Sequence, residues 1–379
     1  MIDESRLVAL FRDLCMINAP SLRERECTAY VKQYLASHGL EILEDSAGSA
    51  IGGNGNNLIV WLRGNVADAP KIFLSAHFDT VEPTAGLEIV ERDGVFYSQS
   101  DTILGADDKG GMAPAIEAVL AIKESGEEHG DVCLLLSVAE EIGLLGANAL
   151  AIQDLDLDFG YVLDTGPPVG SFVTRTANHD KLDITITGKP AHSGKDPEKG
   201  INAIQVAATA IEGMKVGRID PETTANLGTI EGGTATNVVC PFVKIKGEVR
   251  STSLKSLEAQ VDHMIQRFES AARQWGAEVQ IEHKRAYAAY EVDMAHPVVQ
   301  VAQTASRTLG FDPVLRTTLG GSDANVYNQK GVPCIVVATG MDKIHTHDEF
   351  ISRKDLIDTA GLAVELIRGA AKVKPTQLP

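Results

Sequence analysis

The first half of the chain alternates between helical and strand-like spacings of apolar residues. Residues 4–16 and 24–37 have apolar residues three and four positions apart, which predicts two amphipathic helices. Four short apolar runs follow, the last three without strict alternation, at residues 57–62, 71–75, 132–138 and 159–163. Such runs are typical of strands buried on both faces. Because a helical segment at 112–124 lies between two of them, the pattern predicts an α/β domain.

The pattern changes at about residue 178. Leu182, Ile184 and Ile186 alternate with polar residues, as in a strand with one face in water. Helix, strand, strand, helix and strand patterns follow, in that order, at residues 201–214, 225–231, 242–249, 254–275 and 278–283. This order is the ferredoxin-like β-α-β-β-α-β arrangement. The chain then returns to a helix at 296–309 and a buried strand at 333–338.

The length of the chain also indicates two domains, because 379 residues exceed one typical domain. The simplest organisation is an α/β domain with a central, mostly parallel sheet, formed by residues 1–177 and 291–379. The ferredoxin-like segment, residues 178–290, interrupts this domain as an insertion.

Composition limits the classes of function. The formal net charge of -18 argues against a nucleic-acid partner, since phosphates require a surplus of Lys and Arg. No apolar run approaches the ~20 residues needed to span a bilayer, and the acidic N-terminal segment is unlike a secretory signal. The five cysteines are scattered and never form a CxxC pair, which argues against disulfides or a thiolate zinc site and favours a cytoplasmic location.

Histidine and acidic residues follow the ends of several predicted strands. His77 and Asp79 come directly after one apolar run, Glu140 and Glu141 after another, and Asp164 after a third. In α/β sheets, ligands bind at the carboxyl ends of the strands. We therefore expect these side chains to meet at one edge of the sheet.

Two further segments add the same residue types. His345 lies a short loop after the last buried strand, and Asp107 and Asp108 immediately precede a helix, where acids also complement the helix N-terminus. So many neighbouring carboxylates would repel one another without cations. Two histidines and three acids suit two metal ions that share a carboxylate. Imidazole and carboxylate ligands favour zinc, with cobalt or manganese as alternatives.

Five motifs contain these residues: 77–79 (HFD), 105–111 (GADDKGG), 139–143 (AEEIG), 162–164 (VLD) and 345–350 (HTHDEF). In order and spacing they resemble the dinuclear zinc peptidases that include peptidase T, carboxypeptidase G and succinyl-diaminopimelate desuccinylase. The resemblance covers nearly the whole chain, and ADDKGG and GGSDAN are most similar to peptidase T and its tripeptidase-like relatives. It implies a metallopeptidase, aminopeptidase- or tripeptidase-like, that hydrolyses amide bonds in short peptides.

The resemblance implies a role for each residue of the metal site. The five ligands would be His77, Asp107, Glu141, Asp164 and His345. Asp107 would bridge both ions, with His77 and Asp164 completing one site and Glu141 and His345 the other. The spacing of the family motif favours His345 over His347 as the ligand.

Two neighbours of the ligands would support the chemistry. By the same resemblance, Asp79 would accept the imidazole N–H of His77. Glu140 would act as the general base, taking a proton from the metal-bridging water and returning it to the leaving amine. Adjacent residues on an extended backbone point in opposite directions, so Glu141 can bind metal while Glu140 faces the substrate.

The inserted segment contains the remaining candidates. By resemblance, His192 in the loop 188–194 (GKPAHSG) would stabilise the tetrahedral oxyanion, often across a dimer interface. Asn237 and Arg250 would contact polar groups of the substrate, although Arg250 also fits an ordinary exposed strand residue. The resemblance therefore implies a homodimer formed through this segment, which acts as a lid.

The chain departs from peptidase T at one informative position. Peptidase T has an arginine just before its GG[ST]D segment, where this chain has Leu319. Leucine cannot bind a substrate carboxylate, so Arg250 and Arg175 are the alternative sources of positive charge. The open alternatives are an N-acyl amino acid amidohydrolase or carboxypeptidase-type metallohydrolase and, more remotely, a non-enzymatic dimeric scaffold.

Overall fold

A computed structural model describes residues 1–377, which form two compact units. The first comprises Met1–Thr174, Tyr290–Thr317 and the chain from Ser322 onwards, and the second comprises Arg175–Ala289 and Thr318–Gly321. The sequence-based boundaries placed the insertion at 178–290 and left residues 318–321 in the larger domain. The short segment joins the second unit because Thr318 N donates to the Arg175 carbonyl at 3.1 Å.

The helices and strands predicted from the sequence all have counterparts. The α-helices are α1 (Glu4–Met16), α2 (Arg25–Ser37), α3 (Ala47–Ile51), α4 (Ala106–Ser125), α5 (Leu145–Ala149), α6 (Ala203–Ile211), α7 (Leu254–Trp275), α8 (Pro297–Thr308), α9 (Asp323–Gln329) and α10 (Arg353–Ala370). The strands are β1 (Glu41–Glu44), β2 (Leu58–Leu62), β3 (Ile72–His77), β4 (Ile89–Arg92), β5 (Val95–Ser98), β6 (Val132–Ser137), β7 (Phe159–Thr165), β8 (Ser171–Arg175), β9 (Asn178–Thr187), β10 (Gly217–Asp220), β11 (Thr223–Gly232), β12 (Phe242–Ser251), β13 (Glu278–Tyr287), β14 (Val314–Thr317), β15 (Cys334–Ala338) and β16 (Phe350–Ser352). Among the described residues, no helix is both long and apolar enough to cross a membrane.

The first unit is organised around an eight-stranded sheet in the order β1-β2-β6-β3-β7-β15-β8-β14. Its four central strands, β6, β3, β7 and β15, are parallel, whereas β2 and β8 pair antiparallel with the outer two of these. Every residue of β3, β6 and β15 is buried, as expected for strands covered on both faces. The predicted α/β class is confirmed, and the antiparallel outer strands are an addition to it. A small sheet, β16-β5-β4, lies in the same unit.

Helix α4 packs against this sheet and places its first residues at the candidate site. It packs against α1, α10 and β3, and its residues are buried from Ala106 to Ile122. Gly111 allows the close approach, because a Cβ there would lie 1.9 Å from the carbonyl oxygen of Leu163 in β7. Asp107 and Asp108, joined by a cis peptide bond, depart from helical geometry. The start of α4 thus lies against the end of β7, beside Asp164.

The second unit is a five-stranded antiparallel sheet in the order β10-β11-β12-β9-β13, with α6 and α7 packed on one face. Leu182, Ile184 and Ile186 of β9 are buried and join a core that includes Phe268 of α7. The intervening Asp183 is exposed, as the alternation predicts. The ferredoxin-like β-α-β-β-α-β order is present, with the short strand β10 added to it.

Candidate metal centre

The central parallel strands deliver His and acidic residues to one edge of the sheet. Strand β3 ends at His77 and β7 carries Asp164 near its end. Glu140 follows β6 by three residues, and His345 follows β15 by seven. Asp107 enters from the start of α4. Parallel strands place their carboxyl ends side by side, so residues far apart in the sequence meet here.

Four of these side chains, His77, Asp107, Asp164 and His345, form two groups of metal-ligating geometry together with Glu141, the residue after Glu140. In the first, His77 Nε2 lies 3.2 Å from Asp107 Oδ1 and 4.0 Å from Asp164 Oδ1. In the second, His345 Nε2 lies 3.2 Å from Asp107 Oδ2 and 3.0 Å from Glu141 Oε1. Within each group the ligand atoms lie within 4.8 Å of one another. Asp107 belongs to both groups through different oxygens, which is the arrangement needed for two cations that share a carboxylate.

The structure separates the two candidate histidines of the 345–350 motif. His345 is half-exposed and faces Asp107 and Glu141. His347 lies outside both groups, with Nδ1 2.9 Å from the carboxylate of the exposed Asp101. His77 and Asp107, by contrast, are buried, so accessibility increases from His77 towards His345.

Burial and crowding shift the pKa values of the group. Burial, reinforced by neighbouring Asp107 and Asp108, raises the pKa of Asp164 well above its usual range, and burial likewise raises that of Glu140. Hydrogen bonds with Asp107 and Glu141 raise the pKa of His345 to about 10. Carboxylates thus outnumber cationic side chains at this edge, and divalent cations would supply the missing positive charge.

Asp79 contacts His77 mainly through its main chain. His77 Nδ1 lies 2.8 Å from the Asp79 carbonyl oxygen and 3.4 Å from its carboxylate Oδ1. The Asp79 carboxylate accepts hydrogen bonds from the backbone amides of Glu140 at 2.9 Å and Glu141 at 3.1 Å, and from Ser21 Oγ at 2.7 Å. Asp79 therefore joins the His77 segment to the turn that carries Glu140 and Glu141.

Several buried acids at the site have no role predicted from the sequence. Glu349 accepts hydrogen bonds from the amides of Gly105 at 2.7 Å and Asp107 at 2.9 Å, and burial raises its pKa to about 7. Asp108 accepts a hydrogen bond from His77 N at 3.1 Å, and Asp323 accepts one from Ser137 Oγ. All three acids stand inside motifs quoted from the sequence, Asp323 in GGSDAN, and this is the signal that could have found them. Their burial depends on contacts that the sequence does not display.

In the second unit, His192 and Asn237 lie on adjacent loops. Ser193 N donates to the Asn237 carbonyl at 3.1 Å, and His192 forms an isolated β-bridge with Val238. Both side chains are exposed, and His192 Nδ1 accepts a hydrogen bond from Gly194 N at 3.1 Å. Because Nδ1 accepts this bond, His192 Nε2 on the other side of the ring can donate a hydrogen bond to a ligand.

The two candidate arginines of the second unit, Arg250 and Arg175, already have acidic partners. Arg250 Nε and Nη2 lie 3.1 and 3.2 Å from the two carboxylate oxygens of Glu248. His179 Nε2 lies 3.0 Å from the same carboxylate, and these contacts, that with His179 first, lower the pKa of Glu248 to about 2. Arg175 Nη1 lies 2.8 Å from Glu222 Oε1. A substrate carboxylate would therefore compete with protein carboxylates at either arginine.

Several known proteins match most or nearly all of this chain. Residues 73–369 match the model of peptidase family M20/M25/M40. YqjE of Bacillus subtilis, an uncharacterised protein, is 38% identical over 372 residues, covering 98% of this chain and 100% of that protein. The crystal structure of aminopeptidase PepT from Bacillus cereus is similar with a TM-score of 0.88 and 38% identity, covering 98% of this chain and 100% of that one. A tripeptidase from Staphylococcus aureus has a TM-score of 0.92 and 35% identity, with the same coverage of both chains.

These matches confirm the resemblance drawn from the five motifs. They extend through both compact units, because the two structural relatives cover 98% of the chain. The chain belongs to peptidase family M20/M25/M40 and is a metallopeptidase.

Proposed function

We propose that this metallopeptidase is an aminopeptidase of short peptides, tripeptidase-like, that works with two divalent cations. The observation that supports this most directly is Asp107, whose two oxygens face two different groups of ligands. Full-length similarity to an aminopeptidase and to a tripeptidase supports the same reaction class. The five cysteines, which are all free, support a cytoplasmic enzyme.

The donor set fits a pair of metal ions. His77 and Asp164 would hold one ion, Glu141 and His345 the other, and Asp107 both. Imidazole and carboxylate donors without thiolates favour zinc, and cobalt or manganese are the alternatives. When bound, the ions would polarise the peptide carbonyl and lower the pKa of the attacking water.

Glu140 is the proposed general base. It is buried, directly precedes the ligand Glu141, and its amide is held by Asp79. As a carboxylate it would accept the proton of the attacking water, and as the acid it would return that proton to the leaving amine. Burial raises the pKa of Glu140, which favours a base that can hold the proton between these two steps.

The second unit would supply substrate contacts. The exposed His192 would donate to the carbonyl oxygen as charge develops on it, and Asn237 on the neighbouring loop would contact other polar groups of the peptide. Arg250 would contribute to carboxylate recognition, in competition with Glu248. By analogy with the family, the active form would be a homodimer formed through this unit.

A peptide panel on metal-reconstituted protein tests the proposal. The enzyme, stripped and reloaded with zinc, cobalt or manganese, would be given a tripeptide, its N-acetylated form and a dipeptide, with products identified by mass spectrometry. We expect release of the first residue from the free-amino tripeptide and no cleavage of the blocked form. Turnover of N-blocked substrates alone would overturn the aminopeptidase proposal and leave an N-acyl amino acid amidohydrolase.

The general base is tested separately with Glu140→Gln. This change keeps the size of the side chain and removes its basicity, so kcat should fall by about 10²- to 10⁴-fold while both metals stay bound. His347→Ala, an exposed histidine outside both ligand groups, is the matched control and should retain kcat. Wild-type kcat in Glu140→Gln would exclude this residue as the base.

A further inference from the structure

The turn after strand β6 is held through its main chain by buried side chains. Four consecutive amides donate to such side chains: those of Val138, Ala139, Glu140 and Glu141. The acceptors are, in the same order, Asn57 Oδ1 at 3.0 Å, Glu24 Oε1 at 3.0 Å, Asp79 Oδ1 at 2.9 Å and Asp79 Oδ2 at 3.1 Å. Because the amides are consecutive, these bonds determine the backbone path from which Glu140 and Glu141 project.

Glu24 is the unexpected member of this set. Its side chain is fully buried, and its Oε1 also accepts a hydrogen bond from Leu22 N at 2.8 Å. Among the described residues its Oε2 has no hydrogen-bond partner. A buried carboxylate with an unpaired oxygen is destabilising compared with an apolar residue of similar size. Within the part of the chain that the structure describes, the long-range hydrogen bond of the Glu24 side chain is the one it accepts from Ala139 N.

Ala139 has a backbone conformation that needs such a bond. Its φ is 52°, in the left-handed region that residues with a Cβ seldom adopt. The residue lies directly before Glu140, so relaxation of Ala139 towards extended backbone would rotate the Glu140 side chain. Glu141 lies one residue further from Ala139, and the Asp79 carboxylate holds its amide as well as that of Glu140.

We propose that Glu24 is a positioning residue for Glu140, acting through the amide of Ala139. The inference rests on the proposed role of Glu140 as general base. It predicts that loss of the Glu24–Ala139 bond slows proton transfer while metal binding and substrate affinity persist. The property that matters is the length of the Glu24 side chain, which brings its oxygen to Ala139 N, rather than its charge.

Two conservative variants separate reach from charge. Glu24→Gln keeps an oxygen at the acceptor position and removes the charge, whereas Glu24→Asp keeps the charge and withdraws the acceptor by one carbon–carbon bond, about 1.5 Å. We expect kcat of Glu24→Gln within about threefold of wild type, and kcat of Glu24→Asp lower by about 10- to 100-fold, since a base misplaced by 1 Å is that costly. In Glu24→Asp, KM should change by less than about threefold and metal content should stay at the wild-type value.

Glu117→Asp is the matched control. Glu117 is also fully buried in the first unit, and its Oε1 accepts a backbone hydrogen bond, from Asp3 N at 2.8 Å. This control should lower the melting temperature without lowering kcat. Wild-type kcat in Glu24→Asp, or a larger loss in Glu24→Gln than in Glu24→Asp, would overturn the proposal.

A double variant distinguishes positioning of Glu140 from a general structural role. If Glu24 acts through Glu140, then adding Glu24→Asp to Glu140→Gln should lower the residual kcat no further. The same fold-loss in both backgrounds would overturn the inference. If the single variant Glu140→Gln is inactive but the single variant Glu24→Asp is fully active, the positioning role alone is refuted. If Glu140→Gln is itself fully active, the general base is refuted and this inference with it.

Discussion

Two buried aspartates, one in each unit, have similar partners but different surroundings. Asp107 lies between His77 and His345, and Asp180 of strand β9 lies between His283 and Arg285. Asp180 Oδ2 is 2.6 Å from His283 Nε2, and its Oδ1 is 2.7 Å from Arg285 Nε. In both cases burial opposes ionisation, and the hydrogen bonds outweigh it and lower the pKa of the aspartate.

The difference lies in the source of positive charge. Arg285 is permanently charged, so Asp180 is compensated by the protein itself. The basic partners of Asp107 are the imidazoles of His77 and His345, and Asp164 and Glu141 add further acid within the same ligand groups. A cluster of this kind is electrostatically incomplete without external cations. The comparison therefore distinguishes an ion pair that stabilises the fold from an acidic cluster suited to metal.

The largest effect should come from removing the shared carboxylate. Asp107→Ala takes one donor from each ligand group, so we expect both metals to be lost and activity to fall by about 10³-fold or more. Metal analysis and kcat measure the two effects. Asp180→Ala is the matched control and should keep both metals and wild-type kcat. Equal loss of activity in the two variants would contradict the comparison.

Metal removal should act on activity and on stability together. Chelation followed by dialysis should abolish turnover, and zinc, cobalt or manganese should restore it. A ligand present at about 100 times its dissociation constant stabilises the native state by about 2.7 kcal/mol, so the melting temperature should fall by about 5 °C on stripping. Calorimetry with and without metal measures this shift. An unchanged melting temperature and unchanged activity after verified metal loss would remove the basis for a metal centre.

Breaking the ion pair in the second unit should affect stability alone. Asp180→Asn keeps the shape of the side chain and removes the charge that accepts from Arg285 and His283. Hydrogen bonds to a charged group contribute about 1.5–3 kcal/mol, so the free energy of unfolding should decrease by that amount or less. Urea unfolding measures the change, and kcat should stay at the wild-type value. A loss of metal in this variant would show that the two clusters are not independent.

Much of the fold could be predicted because burial leaves a pattern in the sequence. The apolar runs of the central strands and the alternation of Leu182, Ile184 and Ile186 distinguish a covered sheet from a sheet with one wet face. The antiparallel outer strands and the transfer of Thr318–Gly321 to the second unit were not predicted. Both depend on pairing between distant segments, which leaves no local periodicity.

The candidate site, like the fold, could be predicted from the sequence only in part. The five proposed ligands follow strand ends or a helix start, and the structure brings all of them into the two groups. Glu349 was missed as a contact of Asp107 because the two are more than 200 residues apart. The pairing of Arg250 with Glu248, by contrast, could have been predicted, since residues two apart on a strand share one face.

The smallest effect concerns that pair and appears as a pH dependence. Contacts with His179 and Arg250 lower the pKa of Glu248 to about 2 from its usual 4.5. A carboxylate with a lowered pKa stabilises the fold at pH values above its unfolded pKa, and this contribution is lost as the pH falls from about 4.5 towards 2. Glu248→Gln should therefore lower the free energy of unfolding by about 1 kcal/mol near neutral pH, after allowance for solvent screening, and by less at pH 3.5.

Urea unfolding of the wild type and Glu248→Gln between pH 7 and pH 3.5 measures how far the difference in the free energy of unfolding narrows. Glu282→Gln, on an exposed position of the same sheet, should show no such gap. A gap that stays constant with pH would mean that Glu248 contributes through packing rather than charge, and Arg250 would then be freer to bind a substrate carboxylate than its contacts indicate.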